Sequence, residues 1–338
     1  MFNEEHLNDL LSTPSQALVE DMQRLDGNIM VLGAGGKIGP TLTRMALRAV
    51  QQAGTDAQVW AVSRFTEPGL QAELDAWGAR TVVADLNDPV AVAALPKVPN
   101  ILYLAGRKFG TQGNAHETWA MNVSVPTLVT RHFGAARYVV YSTGNVYPLV
   151  PLHTGGCTEE VPPDPVGEYA MTSLGRERVF EYAAAHLGAQ VVLFRLNYAV
   201  DLRYGVLYDI AENILAGKPV SLRTPVFNCV WQRYVNEVTL RCLLLAGSEV
   251  TALNITGPET ASVQQVAQRL GALLGKQPLF EGDPGERALL SNAGRCMARF
   301  GYPDVSLDTL IQWQAQWLLA GGRTLNKPTH FEEQEGRY

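Results

Sequence analysis

The chain has 338 residues, 46% of them hydrophobic and 18% charged, with 33 acidic side chains against 27 basic ones and a net charge of −6. That length supplies a core for one large α/β domain or a two-lobed unit, and the composition excludes a disordered or supercharged chain. The acidic balance argues against a nucleic-acid partner, which Lys and Arg clusters would hold, and no apolar run reaches the length of a membrane span.

Residues 1–27 read as an amphipathic helical extension through Leu7, Leu10, Leu11, Leu18 and Met22, interrupted at Ser12-Thr13-Pro14. Its acidic start is unlike a secretory signal, which is basic and then apolar. Asn28-Ile29-Met30-Val31-Leu32 is a buried strand ending in the turn Gly33-Ala34-Gly35-Gly36, and helical periodicity then runs from Lys37 to Gln52. Further strand-like runs occur at Gln58–Val62, Arg80–Ala84, Asn100–Leu104, Tyr138–Tyr141 and Gln190–Phe194. Helical stretches lie between them, notably Glu117–Phe133 and Tyr169–Leu187. Alternating β and α elements predict a Rossmann-type, doubly wound parallel sheet over residues 28–197. Beyond Asn197 the pattern loosens, and residues 198–338 are expected to form mainly a smaller substrate lobe, with returns of the chain to the core and a polar, extended tail. Cys157, Cys229, Cys242 and Cys296 have neither zinc nor disulfide spacing, and the six histidines are scattered. A cytoplasmic protein with no protein-ligated metal and no membrane partner is expected.

The segment Gly33-Ala34-Gly35-Gly36-Lys37-Ile38-Gly39 sits between the first strand and its helix. Glycines there permit backbone angles that a Cβ forbids, and they let backbone N–H groups approach a pyrophosphate at a helix N-terminus. The second strand ends in Ser63-Arg64 rather than in the carboxylate that bonds an adenosine ribose. A hydroxyl followed by a guanidinium suits a 2′-phosphate, so NADP is expected over NAD.

The G-x-x-G-x-x-G spacing resembles the extended branch of the short-chain dehydrogenase/reductase superfamily, the epimerase/dehydratase branch, and the resemblance runs over roughly residues 28 to 320. Asp85-Leu86 looks like its adenine-contacting pair, and Leu104-Ala105-Gly106-Arg107-Lys108 looks like the loop lying along the cofactor. Asn122 matches the helix asparagine that shapes the sheet and site. Tyr141-Ser142-Thr143-Gly144-Asn145-Val146-Tyr147 resembles the segment bearing the catalytic Ser or Thr, which falls on Thr143. Leu253-Asn254-Ile255-Thr256-Gly257 is similar to a further motif. The resemblance implies cofactor contacts from Gly33, Gly35, Gly36, Lys37, Ile38, Gly39, Leu104, Ala105, Gly106, Lys108, Asn122 and Tyr169. It also implies a homodimer built on the two long helices, the second with an apolar stripe at Val179, Phe180, Ala183 and Ala184.

In that family a tyrosine is the general acid/base, and a lysine four residues later favours its phenolate. Here Tyr169 is followed at that spacing by Ser173, and no lysine occurs between Lys108 and Lys218. The missing charge comes from Lys108 on the opposite loop, from Arg176 seven residues on, or from nowhere. Arg176 is expected to be a surface or helix-packing cation. Ser173 can hydrogen-bond a ribose hydroxyl but supplies no positive charge. A second departure lies at Val230-Trp231-Gln232-Arg233, where valine stands in place of the arginine that holds a substrate diphosphate; Arg223 and Arg233 are the possible substitutes. A smaller carbohydrate-like substrate, such as a free sugar or sugar acid, is therefore favoured over a nucleotide sugar. Thr143, Asn145, Asn197, Trp231 and Gln232 are its candidate contacts, with Trp231 equally suited to a core.

Two functions follow. One is an NAD(P)-dependent oxidoreductase or epimerase with catalytic Thr143, Tyr169 and Ser173. The other is an inactive nucleotide-binding sensor or scaffold of the same fold.

Overall fold

A computed structural model describes residues 3–110, 113–325 and 327–337. Seven strands form the central sheet: β1 (Ile29–Leu32), β2 (Val59–Ser63), β3 (Arg80–Val83), β4 (Asn100–Tyr103), β5 (Arg137–Thr143), β6 (Gln190–Leu196) and β7 (Thr251–Ile255). They lie in the order β7-β6-β5-β4-β1-β2-β3, and every neighbouring pair is parallel. Helices cover both faces, so the inner strands are buried without alternation. All four residues of β1 and of β4 are buried. Six of the seven strands fall on the runs marked in the sequence. The seventh, β7, comes from beyond Asn197 and pairs with β6 from Thr251↔Val192 to Ile255↔Leu196.

The order reverses between β1 and β4, and α3 (Gly39–Ala53) follows β1 there. In a doubly wound sheet this switch point opens a crevice at the carboxyl ends of the strands. The glycine turn after β1 and the loop after β4 both end in it.

The N-terminal segment is two helices, α1 (Glu4–Ser12) and α2 (Gln16–Arg24), capped by Asn3 and Ser15 and broken between them at Thr13 and Pro14. It is part of the fold rather than an appendage. Leu18 and Met22 are buried with Leu42, Met45 and Ala46 of α3, whereas Leu7 and Leu11 enter a second core with Leu207, Ile210 and Trp317. That second core belongs to the smaller lobe, where helices Val206–Ala216, Val263–Leu274 and Leu307–Leu319 pack together beside two-stranded pieces. A third core lies on the other face of the sheet, where Phe180 meets the rings of Tyr103 and Tyr138 edge-on at 5.2 and 5.3 Å.

Candidate active site

A cavity of about 1140 Å³ occupies the crevice. The glycine turn forms one wall, and its glycines serve different ends. Gly33 has φ +93°, and a Cβ there would lie 2.8 Å from the Ala105 backbone nitrogen, so β1 and the β4 loop could not close together. A Cβ on Gly39 would lie 2.3 Å from the Ala34 carbonyl oxygen, and one on Gly35 2.5 Å from Ser63 Oγ. Gly36 is different: a Cβ would meet only the Gly33 carbonyl oxygen, at 3.4 Å, and no positive φ demands glycine. Gly36 lines the cavity, so the space that its missing side chain leaves belongs to the cavity. The first turn of α3 starts there with no side-chain cap and with Pro40 near its start, leaving N–H groups for an anion.

The opposite wall comes from β5, β6 and the long helix Gly167–Leu187. Thr143 ends β5, and its hydroxyl donates to Asn145 Oδ1 at 2.9 Å and accepts from the Asn145 N–H at 3.2 Å. Thr143, Asn145, Tyr169, Asn197 and Gln232 all line the cavity. Asn197 donates to Asn228 at 2.8 Å, and Gln232 to Thr41 at 2.9 Å, which fixes both amides. Below Thr143, a buried ion pair ties the long helix to the sheet: Arg195 clamps Glu177 with bonds of 2.9 and 2.7 Å, and Ser142 donates to the same carboxylate.

Known proteins place this arrangement. The NAD dependent epimerase/dehydratase family matches residues 29–223. The chain belongs to this family. Three solved structures of similar fold are MoeE5 in complex with UDP-glucose and NAD (21% identity, TM-score 0.71, 87% of this chain and 99% of that one), the UDP-glucuronic acid 4-epimerase of Bacillus cereus in complex with NAD (18%, 0.71, 87% and 99%), and the UDP-glucose 4-epimerase of Thermus thermophilus in complex with NAD (20%, 0.70, 86% and 98%). A search of the curated proteins gives no match.

Within this epimerase/dehydratase fold, the helix that carries Tyr169 places its residues at different depths. Ser173 is fully buried, does not line the cavity, and leaves its hydroxyl without a hydrogen-bond partner. It shares the face of Tyr169, but a serine side chain ends one atom beyond Cβ and stays inside the protein. Arg176, one turn further, is long enough to reach. It is buried rather than on the surface, lines the cavity, and donates to the Tyr141 carbonyl and to Asn122 Oδ1, each at 2.7 Å. Asn122 sits in a π-helical turn, Ala120–Ser124, that carries its amide into the core. There it also accepts from the Arg107 N–H and donates to the Arg107 carbonyl and to Thr172. Asn122 is therefore a brace for the β4 loop and does not line the cavity. Ser63, Arg64, Asp85, Leu86 and Ala105 are likewise not on the cavity wall, whereas Leu104, Gly106, Lys37, Ile38 and Lys108 are. Arg64 is exposed at the end of β2, within electrostatic reach of Asp85, whose carboxyl is held below its ordinary range mainly by hydrogen bonds from Asn87.

On the substrate side, Trp231 is 1% exposed, packs edge-on against Trp313 and is absent from the cavity wall, so of its two roles it takes the core one. Val230 is buried in a two-stranded pairing with Ala199. Arg233 bonds the Thr13 carbonyl and Asp304, Arg223 bonds Glu335, and neither lines the cavity. Neither substitutes there for the missing arginine. Of the dimer stripe, Phe180 and Ala183 are fully buried within the chain's own core; the long helix exposes Met171 and Tyr182 instead.

The sequence carried no signal for two contributors. The tail is not a free extension: Thr329 donates its N–H to Asp209 at 2.8 Å and also bonds it through its hydroxyl, and Leu325, Lys327, Thr329 and His330 line the cavity. Glu4 and Asn8 of α1 reach the same cavity and hold Arg203, which in turn clamps Asp201. Among the described residues there is no group of three or more His, Cys, Asp or Glu suited to a metal, and no helix is long and apolar enough to cross a membrane.

Proposed function

We propose that this protein is an NAD(P)-dependent oxidoreductase or epimerase acting on a carbohydrate-like substrate. The observation that carries the reading is the convergence of Gly36, Thr143 and Tyr169 on one cavity at the switch point of the sheet. The glycine turn and the start of α3 would hold the dinucleotide phosphates, and the place left by Gly36 fits that approach. A bound nicotinamide supplies a hydride donor or acceptor. Thr143 is suited to hydrogen-bond the substrate oxygen, and Tyr169 to move its proton. Lys108, whose Nζ is 5.7 Å from the Tyr169 ring centroid, is the cation beside this tyrosine, where residue 173 offers none.

NADP is the favoured cofactor, on the strength of the exposed Arg64 guanidinium; the NAD seen with the similar structures is the alternative. Those structures also motivate nucleotide sugars as substrates, but the wall of this cavity lacks the arginine at residue 230 that would grip a diphosphate. A free sugar or sugar acid suits it better. The buried, uncharged Ser173 is what favours an inactive sensor. Calorimetric titration with NAD and NADP, followed by turnover over a panel of sugars, sugar acids and nucleotide sugars, decides between them. Absence of binding by either dinucleotide sinks both readings, and tight binding without turnover favours the sensor. A homodimer is proposed through the exposed side of the two long helices, where Trp119, Met171 and Tyr182 are 43%, 39% and 62% exposed. A monomer by light scattering at micromolar concentration would count against it.

A further inference from the structure

The tail returns across the mouth of the crevice. Arg323, just past the helix Leu307–Leu319, bonds both Glu4 of α1 and Glu67, which lies beyond the end of β2. Lys327, Pro328, Thr329 and His330 then line the same cavity as the glycine turn and Tyr169. Phe331 is 5% exposed in the second core, where its ring stands 6.3 Å from that of Phe227. Gly336 lies against the first residue of the long helix: a Cβ on Gly167 would come within 2.5 Å of the Gly336 carbonyl oxygen. We propose that residues 327–330 form a strap across the dinucleotide crevice, latched by Thr329 on Asp209, and that cofactor enters and leaves only when this latch opens. This rests on the cofactor reading above and adds control of exchange to it.

The latch is concentrated at one side chain. Asp209 stands in the first turn of the helix Val206–Ala216, and its Oδ2 accepts both the Thr329 N–H, at 2.8 Å, and the Thr329 hydroxyl. Its Oδ1 is buried without a hydrogen-bond partner. A carboxyl taken out of water is costly unless hydrogen bonds offset the loss. Among the described residues, the side-chain hydrogen bonds that Asp209 receives come from the tail. On the other side of the crevice, Lys108 of the β4 loop donates to the Thr329 carbonyl at 3.3 Å, and the His330 ring stands 6.0 Å from that of Phe109. Thr329 therefore joins the smaller lobe to the loop along the cavity. His330 holds a left-handed φ of +54°, and Tyr198, whose hydroxyl donates to the Phe331 carbonyl at 3.5 Å, holds one of +47°. Non-glycine residues keep such angles only where the surroundings enforce them, and they gather at clamps and switch regions. Residues 327–330 form no helix or strand, and Phe331 anchors the chain beyond the latch. Opening thus breaks a few bonds to Thr329 and leaves both cores packed, which makes it a local event rather than unfolding. Asp209 also opposes the charges of Lys37 and Lys108. Thr329→Ala leaves those charges in place, so it separates latching from electrostatics.

The test follows NADH and NADPH fluorescence on stopped-flow mixing with the full chain, and then their displacement by excess NAD or NADP. Asp209→Ala should raise the association and dissociation rate constants together, each about fivefold or more, with Kd kept within about threefold, because a gate lies on the path rather than in the bound contacts. Thr329→Ala, which removes one hydroxyl, should move both rates the same way by less, and it decides the matter where Asp209→Ala does not fold. Amide hydrogen exchange over residues 327–331 should quicken in both variants. Rates unchanged from wild type in the folded variants overturn the proposal. So does a rise in dissociation alone, since Asp209 would then support a cofactor contact. Faster exchange in Asp209→Ala with none in Thr329→Ala also overturns it, since Asp209 would then act through the charges of Lys37 and Lys108. A wild type that binds neither dinucleotide overturns the cofactor reading itself, and this shows before any variant is compared.

Discussion

Replacing Gly36 and Gly39 by alanine, one at a time, separates a glycine kept for a ligand from one kept for the fold. At Gly39 the added methyl would sit 2.3 Å from the Ala34 carbonyl oxygen and 2.6 Å from its carbon, both backbone atoms that can yield only if β1 and α3 shift. Overpacking of that kind costs about 1–3 kcal/mol. At Gly36 the nearest atom is 3.4 Å away and φ is not positive, so stability should stay within about 0.5 kcal/mol of wild type. The same methyl occupies the approach to the N-terminus of α3. Dinucleotide affinity should therefore fall at least tenfold, which is about 1.4 kcal/mol. Urea denaturation reads the first quantity and isothermal calorimetry with NAD and NADP the second. A Gly36→Ala variant that unfolds as readily as Gly39→Ala, or one that binds both dinucleotides as wild type does, refutes the assignment of that space to the cofactor.

Tyr169→Phe should reduce turnover by about 10²–10⁴-fold, the usual worth of a positioned acid/base, while cofactor affinity is nearly unchanged; equal turnover with a verified substrate removes Tyr169 from the mechanism. Arg64→Ala should weaken NADP binding far more than NAD binding, and equal losses in parallel titrations would reject the 2′-phosphate role. Glu177→Ala strands the buried Arg195, whose side chain is 6% exposed, and should cost about 3–5 kcal/mol in urea denaturation. The double change Glu177→Leu with Arg195→Met should recover most of that loss, since it leaves no unpaired charge; no recovery would mean that the strands depend on the polar contacts to Ser142 and Tyr147 as well.

The chain's own local pattern determined the parallel sheet and the glycine turn after its first strand. A strand such as Ile29–Leu32, buried on both faces, must be apolar throughout, and a turn that needs Gly33 at φ +93° leaves a glycine in the sequence. Those constraints act between near neighbours, so they are legible without coordinates, as are the spacing of Thr143 and Tyr169 and the loss of lysine at 173. The tertiary structure alone decided what depends on meetings between distant segments. Ser173 and Arg176 share one helix face, yet only the longer side chain reaches the cavity. Trp231 and Gln232 are adjacent, but one is enclosed by the second core and the other opens on the site. The tail is polar and without periodicity, so nothing in its residues announces that Thr329 will bond Asp209, 120 positions away, and that Lys327 will line the cavity. Periodicity records which face of an element is buried; it does not record which remote segment covers that face.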